Sequence, residues 1–462
     1  MPLGKNKKSV MLLLLGFLSC IAYYVFAYHL VRTDTIKLAV FYTLLFGLFY
    51  VTVNQFKENF KLLALLSVLV RLIFIAAIPN LSQDFYRFIW DGRMILAGFN
   101  PFLYTPISFI ELGQLPVPQA NELYQGMGTL SGGNHTNYPP LNQLCFVFAG
   151  LFSGSSIMGS VIVMRIIIIS ADIGTLLVGK KLLEKLQLPS HTIFWYILNP
   201  FIIIELTGNL HFEAVMLFFL VLSLYLLHQN KWQMAAVALA FSVSIKLLPL
   251  IFLPLFFKKL RFKKWVAFCA VVVGITILLF APFTSPEFLR NYTDTVALWF
   301  RKFEFNASIY YVLRAIGYTF RGYNEIAIIG KIISIAVILF VLVFAMLKKN
   351  MSTIGLICSL LFVIAFYFFT TTTMHPWYLA TPLLLSLFTK YRFTLVWSFV
   401  IFLSYFAYVN NTHQENYWLL IVEYGVVYAV FFYEIYTQQK DKKNLILLII
   451  SVLFQNHTGF DE

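Results

Sequence analysis

Lys246 stands in the middle of an apolar run, Trp232–Phe257, with Pro249 and Pro254 shortly after it. A charge at mid-membrane depth costs about 2.5–3.5 kcal/mol on insertion scales, so it calls for a partner. The simplest partner is an anion such as a lipid phosphate; the alternative is a lysine that snorkels to the interface. A second charged stretch is Ser82-Gln83-Asp84-Phe85-Tyr86-Arg87-Phe88-Ile89-Trp90-Asp91-Gly92-Arg93. As a helix it puts Asp84, Arg87 and Asp91 on one face at i, i+3 and i+7, and Phe85, Phe88 and Ile89 on another. Such a helix lies on a membrane surface with its carboxylates turned to protein or water. There they either serve a reaction or form ordinary surface ion pairs.

Three further groups combine polar chemistry with a break in an apolar pattern. Asn137-Tyr138-Pro139-Pro140-Leu141 is a corner in which the prolines set the chain direction and Tyr138 is free to face a site. Glu205, Asn209, His211 and Glu213 cluster between two apolar runs, and Arg165 and Asp172 share one helix face seven residues apart. His375-Pro376-Trp377-Tyr378 reads as an interfacial aromatic belt carrying one histidine. No Walker motif, dinucleotide fingerprint, metalloprotease motif or Gly-x-Ser-x-Gly elbow is present, so no soluble nucleotide site is signalled. A reaction here needs a substrate delivered by the membrane.

The elements that must position these residues are apolar helices. Of 462 residues 60% are hydrophobic and 12% charged, and mean hydropathy is +0.80. A soluble globule carries about twice that charge fraction. The 49 Phe, 26 Tyr and 8 Trp fit a chain solvated by lipid with interfacial anchors. The expected fold is an all-α, polytopic transmembrane helical bundle spanning 1–462, with roughly a dozen apolar segments. The net charge of +14 sits in short gaps, at Lys5–Lys8, Lys57–Lys61, Lys180–Lys185, Lys258–Lys264, Lys348–Lys349, Lys390–Arg392 and Lys440–Lys443. That is the positive-inside pattern rather than a nucleic-acid surface. Cys20, Cys145, Cys269 and Cys358 lie in or beside apolar runs without metal-ligand spacing.

With the amino terminus inside as an uncleaved first span, Met11–Leu30, Leu38–Val53 and Leu62–Ile78 carry the chain outside at Pro79. A first large external loop follows over 80–138 and a second over 282–325. The run around Lys246 has two readings. In one it rises ~21 Å from the inside and folds back after the prolines; in the other it crosses and puts Lys180–Lys185 outside. Charge bias favours the hairpin.

The chain resembles the GT-C-type, polyprenyl-phosphate-sugar-dependent glycosyltransferases, in particular bacterial polyprenyl-phosphomannose mannosyltransferases and the catalytic subunit of the GPI mannosyltransferase that adds the first mannose. The resemblance rests on an ordered set: Asp84-Phe85-Tyr86-Arg87 with Trp90-Asp91-Gly92-Arg93, Gly98-Phe99-Asn100-Pro101-Phe102, Tyr138-Pro139-Pro140-Leu141 and Asp172-Ile173-Gly174-Thr175. It continues through Leu198-Asn199-Pro200, Gly208-Asn209-Leu210-His211-Phe212-Glu213, Ile245-Lys246-Leu247-Leu248-Pro249, Phe305-Asn306-Ala307-Ser308 and His375-Pro376-Trp377-Tyr378. It implies a GT-C-like enzyme whose first external loop carries a catalytic aspartate, and Asp84 matches that position. Some relatives carry a second acid next to the first; here Phe85 and Tyr86 follow, so neither a metal nor another cofactor is expected. The implied reaction moves a sugar, mannose being the expected one, from a polyprenyl-phosphate donor to a glycan or glycolipid acceptor with inversion. Asp84 would deprotonate the acceptor. Lys246, Arg87, Arg93 and His375 would hold the donor phosphate, and Asp91, Tyr138, His211, Glu213, Trp377 and Tyr378 would line the acceptor side. The implied setting is the bacterial cytoplasmic (inner) membrane with the site facing outward, and no nucleic acid is involved.

Two rivals remain at this level. A transporter or flippase concentrates polar residues at broken helices, often in paired repeats, whereas this chain shows no second copy of Lys246 with its prolines. An O-antigen-type polymerase or ligase favours a large external loop later in the chain.

Overall fold

The computed structural model describes residues 5–301, 303–348, 351–409 and 414–455. Lys349 and the cap at 410–413 lie outside the described residues, as do the side chains of Lys5–Lys8. The described chain is helical throughout, with one isolated bridge between Phe305 and Thr373. Seven of the described helices are long and apolar enough to cross a membrane, or eight when the bent pair Pro200–Gly208 and Glu213–His228 counts as one span. That is fewer than the dozen apolar segments in the sequence. The difference lies in short helices such as Pro140–Ser153, Trp232–Ile245 and Phe393–Tyr408, and in the expected third span, where the helix Phe60–Leu72 ends after 13 residues. A bilayer core needs about 20 residues, so these pieces rely on protein neighbours to cover their ends.

Two buried arginines inside this apolar mass find different acceptors. Asp172 does not pair with Arg165. Its carboxylate takes Arg71 Nε at 2.7 Å, with both side chains almost fully enclosed. Arg165 instead donates to the carbonyls of Thr207, Gly208 and Ile75 at 2.8–3.0 Å. The Thr207 and Gly208 carbonyls belong to a break in the helix ladder, where they lack the usual i+4 donors. One arginine thus satisfies the broken helix and another neutralises the aspartate.

Several of the described basic gaps lie beside one another's helix ends. Lys180 lies 4.6 Å from the Phe60 ring centroid, Lys259 donates to Met351 and Thr353, and Thr353 also meets His228. The chain around Lys246 follows the hairpin reading: the helix Trp232–Ile245 rises, a 3-10 stretch over Leu248–Phe256 returns, and the backbone turns at Arg261 with φ 61°. It then rises again to Phe280, whose ring meets Phe102 and Tyr292.

One end of the bundle is closed by the two long loops. The first holds helices Asp84–Leu96, Pro106–Glu111 and Ala120–Gly132; the second holds Pro286–Arg301 and Ile309–Arg321. Phe102 joins them, packing against Phe283, Phe288 and Tyr292. Asn100 donates to the Phe283 carbonyl and Asn291 to that of Phe102. The Asp84–Leu96 helix packs tightly on Pro140–Ser153, because a Cβ at Gly92 would come within 2.3 Å of the Phe146 carbonyl oxygen. Phe88 stacks on Phe146 at 4.7 Å.

The Arg71–Asp172 pair generates a stability prediction. Asp172→Asn strands a buried guanidinium and should destabilise the protein by about 3–5 kcal/mol. An Arg71→Met/Asp172→Leu double variant should recover most of that loss, read as the thermal midpoint in detergent.

Candidate active site

The break between Pro200–Gly208 and Glu213–His228 builds the floor of the site. The chain bends there by 116°, and the turn is forced through Leu210 at φ 62°, a left-handed conformation that costs a non-glycine residue roughly 1–2 kcal/mol. The bend is paid back in hydrogen bonds. Asn209 Oδ1 accepts from Leu81 N at 3.2 Å, so the chain entering the Asp84 helix is tied to the break. Asn209 also donates to Glu205 at 3.4 Å, and Tyr405 donates to the other Glu205 oxygen at 2.5 Å. His211 Nδ1 sits 2.9 Å from the Glu205 carbonyl. Two residues later, Glu213 forms an ion pair with Lys246. The lysine that needed an anion finds one within the chain.

Asp84 opens its helix and remains partly accessible. Burial pushes its carboxyl above the usual carboxylate range, opposed by the charges of His211, Lys246 and Arg32. The Lys246 ammonium also lies 5.6 Å from the Tyr378 ring centroid. His375, Trp377 and His211 form one stack, with centroids 4.5 Å and 3.9 Å apart. Burial, then the charges of His211 and Lys246, lowers His375 to about 3. It is therefore neutral near pH 7. Burial, with the Asp84 charge adding to it, raises the Tyr138 and Tyr378 phenols well above their ordinary value. Both stay neutral hydrogen-bond donors.

The structure thus brings Asp84, His211, Glu213, Lys246, Tyr138, His375, Trp377 and Tyr378 to one place. Arg87 and Asp91 reach it only at its edge, where their charges act on Tyr138, and Arg93 is engaged by the first loop. Arg87 pairs with Asp91 at 2.7 Å and donates to the carbonyls of Ser131 and Asn134. Gln143 donates to the second Asp91 oxygen at 3.2 Å. Arg93 donates to Pro118 O and Gln119. These three charges are buried and hold the folded-back part of the first loop against the helix.

Two participants were not singled out in the sequence. Arg32, in the short turn between the first two helices, stacks on Tyr408 at 4.1 Å and donates to the Leu81 carbonyl at 3.3 Å. Its signal was a lone basic residue in a turn away from the basic gaps. Tyr405 had none, since its partner Glu205 is 200 residues away. Among the described residues no group of three or more His, Cys, Asp or Glu is arranged to hold a metal ion.

With that geometry in view, comparison with known families is decisive. The alpha-(1->6)-mannopyranosyltransferase N-terminal domain family matches residues 7–260, more than half of the 462-residue chain. The chain belongs to that family. It is a membrane mannosyltransferase. The matched region contains Arg32, Asp84, His211, Glu213 and Lys246, while His375, Trp377 and Tyr378 lie beyond it. No individual curated protein matches the chain.

His375 generates a pH prediction. In the unfolded chain its imidazole takes up a proton near its ordinary 6.5, whereas in the folded protein it does so only near 3. Between those values the unfolded state binds more protons, so stability falls as pH drops through that window. His375→Gln should flatten this acid limb, measured by thermal unfolding from pH 7 to 4.

Proposed function

We propose that this mannosyltransferase takes mannose from a polyprenyl-phosphate carrier and transfers it, with inversion, to a glycan or glycolipid hydroxyl at the external face. The observation that carries this reading is a mostly apolar groove whose wall begins one residue after Lys246. A groove of about 360 Å³ runs between the helices Pro286–Arg301 and Ile326–Leu347, walled by Leu247, Tyr292, Val296 and Ser334, with Lys331 at its side. Leu247 directly follows Lys246. An isoprenoid chain in that groove would deliver its phosphate to the ammonium. A soluble nucleotide sugar would have no use for such a wall.

On this reading Asp84 takes the acceptor proton as the acceptor oxygen attacks C1 of mannose. The C1–O bond to phosphate breaks, and its electron pair leaves with the phosphate oxygen. The phosphate gains negative charge, and Lys246 and Arg32, both acting on Asp84, are the cations within reach of it. The Tyr138 and Tyr378 phenols and the neutral His375 would donate or accept at the sugar. If the family's α-(1→6) linkage carries over, inversion requires a β-linked mannosyl phosphate. The outward orientation is supported by the placement of several basic gaps away from the site. A bacterial cytoplasmic membrane is the setting this reading implies.

Purified protein should transfer label from polyprenyl-phosphate mannose and leave GDP-mannose untouched. Turnover with the nucleotide sugar alone would refute the donor assignment. Asp84→Asn should lower kcat by at least ~10²-fold. Lys246→Ala should raise the donor KM more than the acceptor KM. Arg32→Gln removes a charge that holds the Asp84 carboxyl down, so the acidic limb of kcat/KM should move to higher pH; an unmoved limb would count against Asp84 as the base.

A further inference from the structure

His211 is placed as a proton acceptor that the reaction outlined above leaves unused. Its Nδ1 lies 2.9 Å from the Glu205 backbone carbonyl, which can only accept. Nδ1 must therefore carry the hydrogen, and in the neutral ring Nε2 holds the lone pair. That Nε2 is buried and has no hydrogen-bond partner among the described residues. The ring is clamped face-on against Trp377 at 3.9 Å, so it has little freedom to turn Nε2 elsewhere. A buried acceptor without a donor costs roughly 1–3 kcal/mol, which a purely structural histidine would have no reason to carry.

The groups around the ring suit a transient positive charge. The Glu205 carboxylate lies behind it, with Oε2 3.5 Å from Nδ1, and is itself held by Tyr405 and Asn209. Asp84 is close enough for the His211 charge to act on its carboxyl, although no hydrogen bond or ion pair joins the two. Lys246 and His375 face the same space; Lys246 is countered by Glu213, and His375 stays neutral.

We propose that His211 is a proton-relay residue: through Nε2 it receives the proton that Asp84 takes from the acceptor hydroxyl, and Glu205 steadies the resulting imidazolium. The inference rests on the reading of Asp84 as base. Each step balances. Asp84 is protonated as the glycosidic bond forms and the phosphate departs with its electron pair. The proton then moves from the Asp84 carboxyl to Nε2, restoring the carboxylate, and leaves the imidazolium for the departing phosphate.

Two measurements test this. His211→Asn keeps an amide donor where Nδ1–H meets the Glu205 carbonyl and removes the Nε2 acceptor. It should lower kcat by ~10²–10⁴-fold with little change in either KM, and the smaller side chain of His211→Ala should allow partial rescue by imidazole. Near-normal kcat in His211→Asn would overturn the relay while leaving the donor assignment intact. ¹⁵N-histidine NMR of the wild-type protein and of Asp84→Asn needs no substrate, so it decides the matter even if no lipid donor is turned over. The expected result is an Nδ1–H tautomer at His211 whose Nε2 chemical shift moves when the Asp84 charge is removed. An Nε2–H tautomer, or an Nε2 chemical shift indifferent to Asp84, would overturn the proposal.

Discussion

Water is excluded from the middle of this molecule, so a buried charge is stable only where the chain brings it an opposite charge or a row of carbonyls. The Lys246–Glu213 ion pair is the instance on which the site depends. Lys246 ends one helix and Glu213 begins another, and the pair holds those two ends together. With the pair in place, the helix break behind Glu213 presents His211 and Asn209 to the same space. Without it, a carboxylate with almost no exposed surface would be stranded.

Two further buried charge arrangements serve that break from below. Arg165 caps the carbonyls freed at Thr207 and Gly208. Asp172, held by Arg71, accepts weakly from the Thr207 hydroxyl at 3.4 Å. Leu210 can keep its left-handed conformation because these contacts over-determine it. At the other end, loops joined through Phe102, Asn100 and Asn291 close over the bundle.

Much of this was legible in the sequence. Composition and the spacing of basic gaps point to a helical membrane bundle, and charge bias favoured the hairpin at Lys246 that the structure adopts. The charged faces of the Asp84 helix were readable from spacing, and Arg87 and Asp91 do pair at i, i+4. Their service to the loop was not readable, because the carbonyls of Ser131 and Asn134 lie more than forty residues away. Asp172 shows the same limit: spacing offered Arg165, seven residues along the same helix, but packing supplied Arg71 from another one.

The sequence by itself determined which residues are too polar for lipid, and therefore where partners had to be found. Hydropathy and helical period are local properties, readable within a few turns. Which partner each residue found was decided only by tertiary packing. Apolar helix faces satisfy lipid and protein alike, so they carry little information about their neighbours. The meeting of Glu205 with Tyr405, of Arg32 with Tyr408, and of the His211–Trp377–His375 stack spans up to several hundred residues. Such contacts exist because the folded bundle leaves each polar group one enclosed place to go.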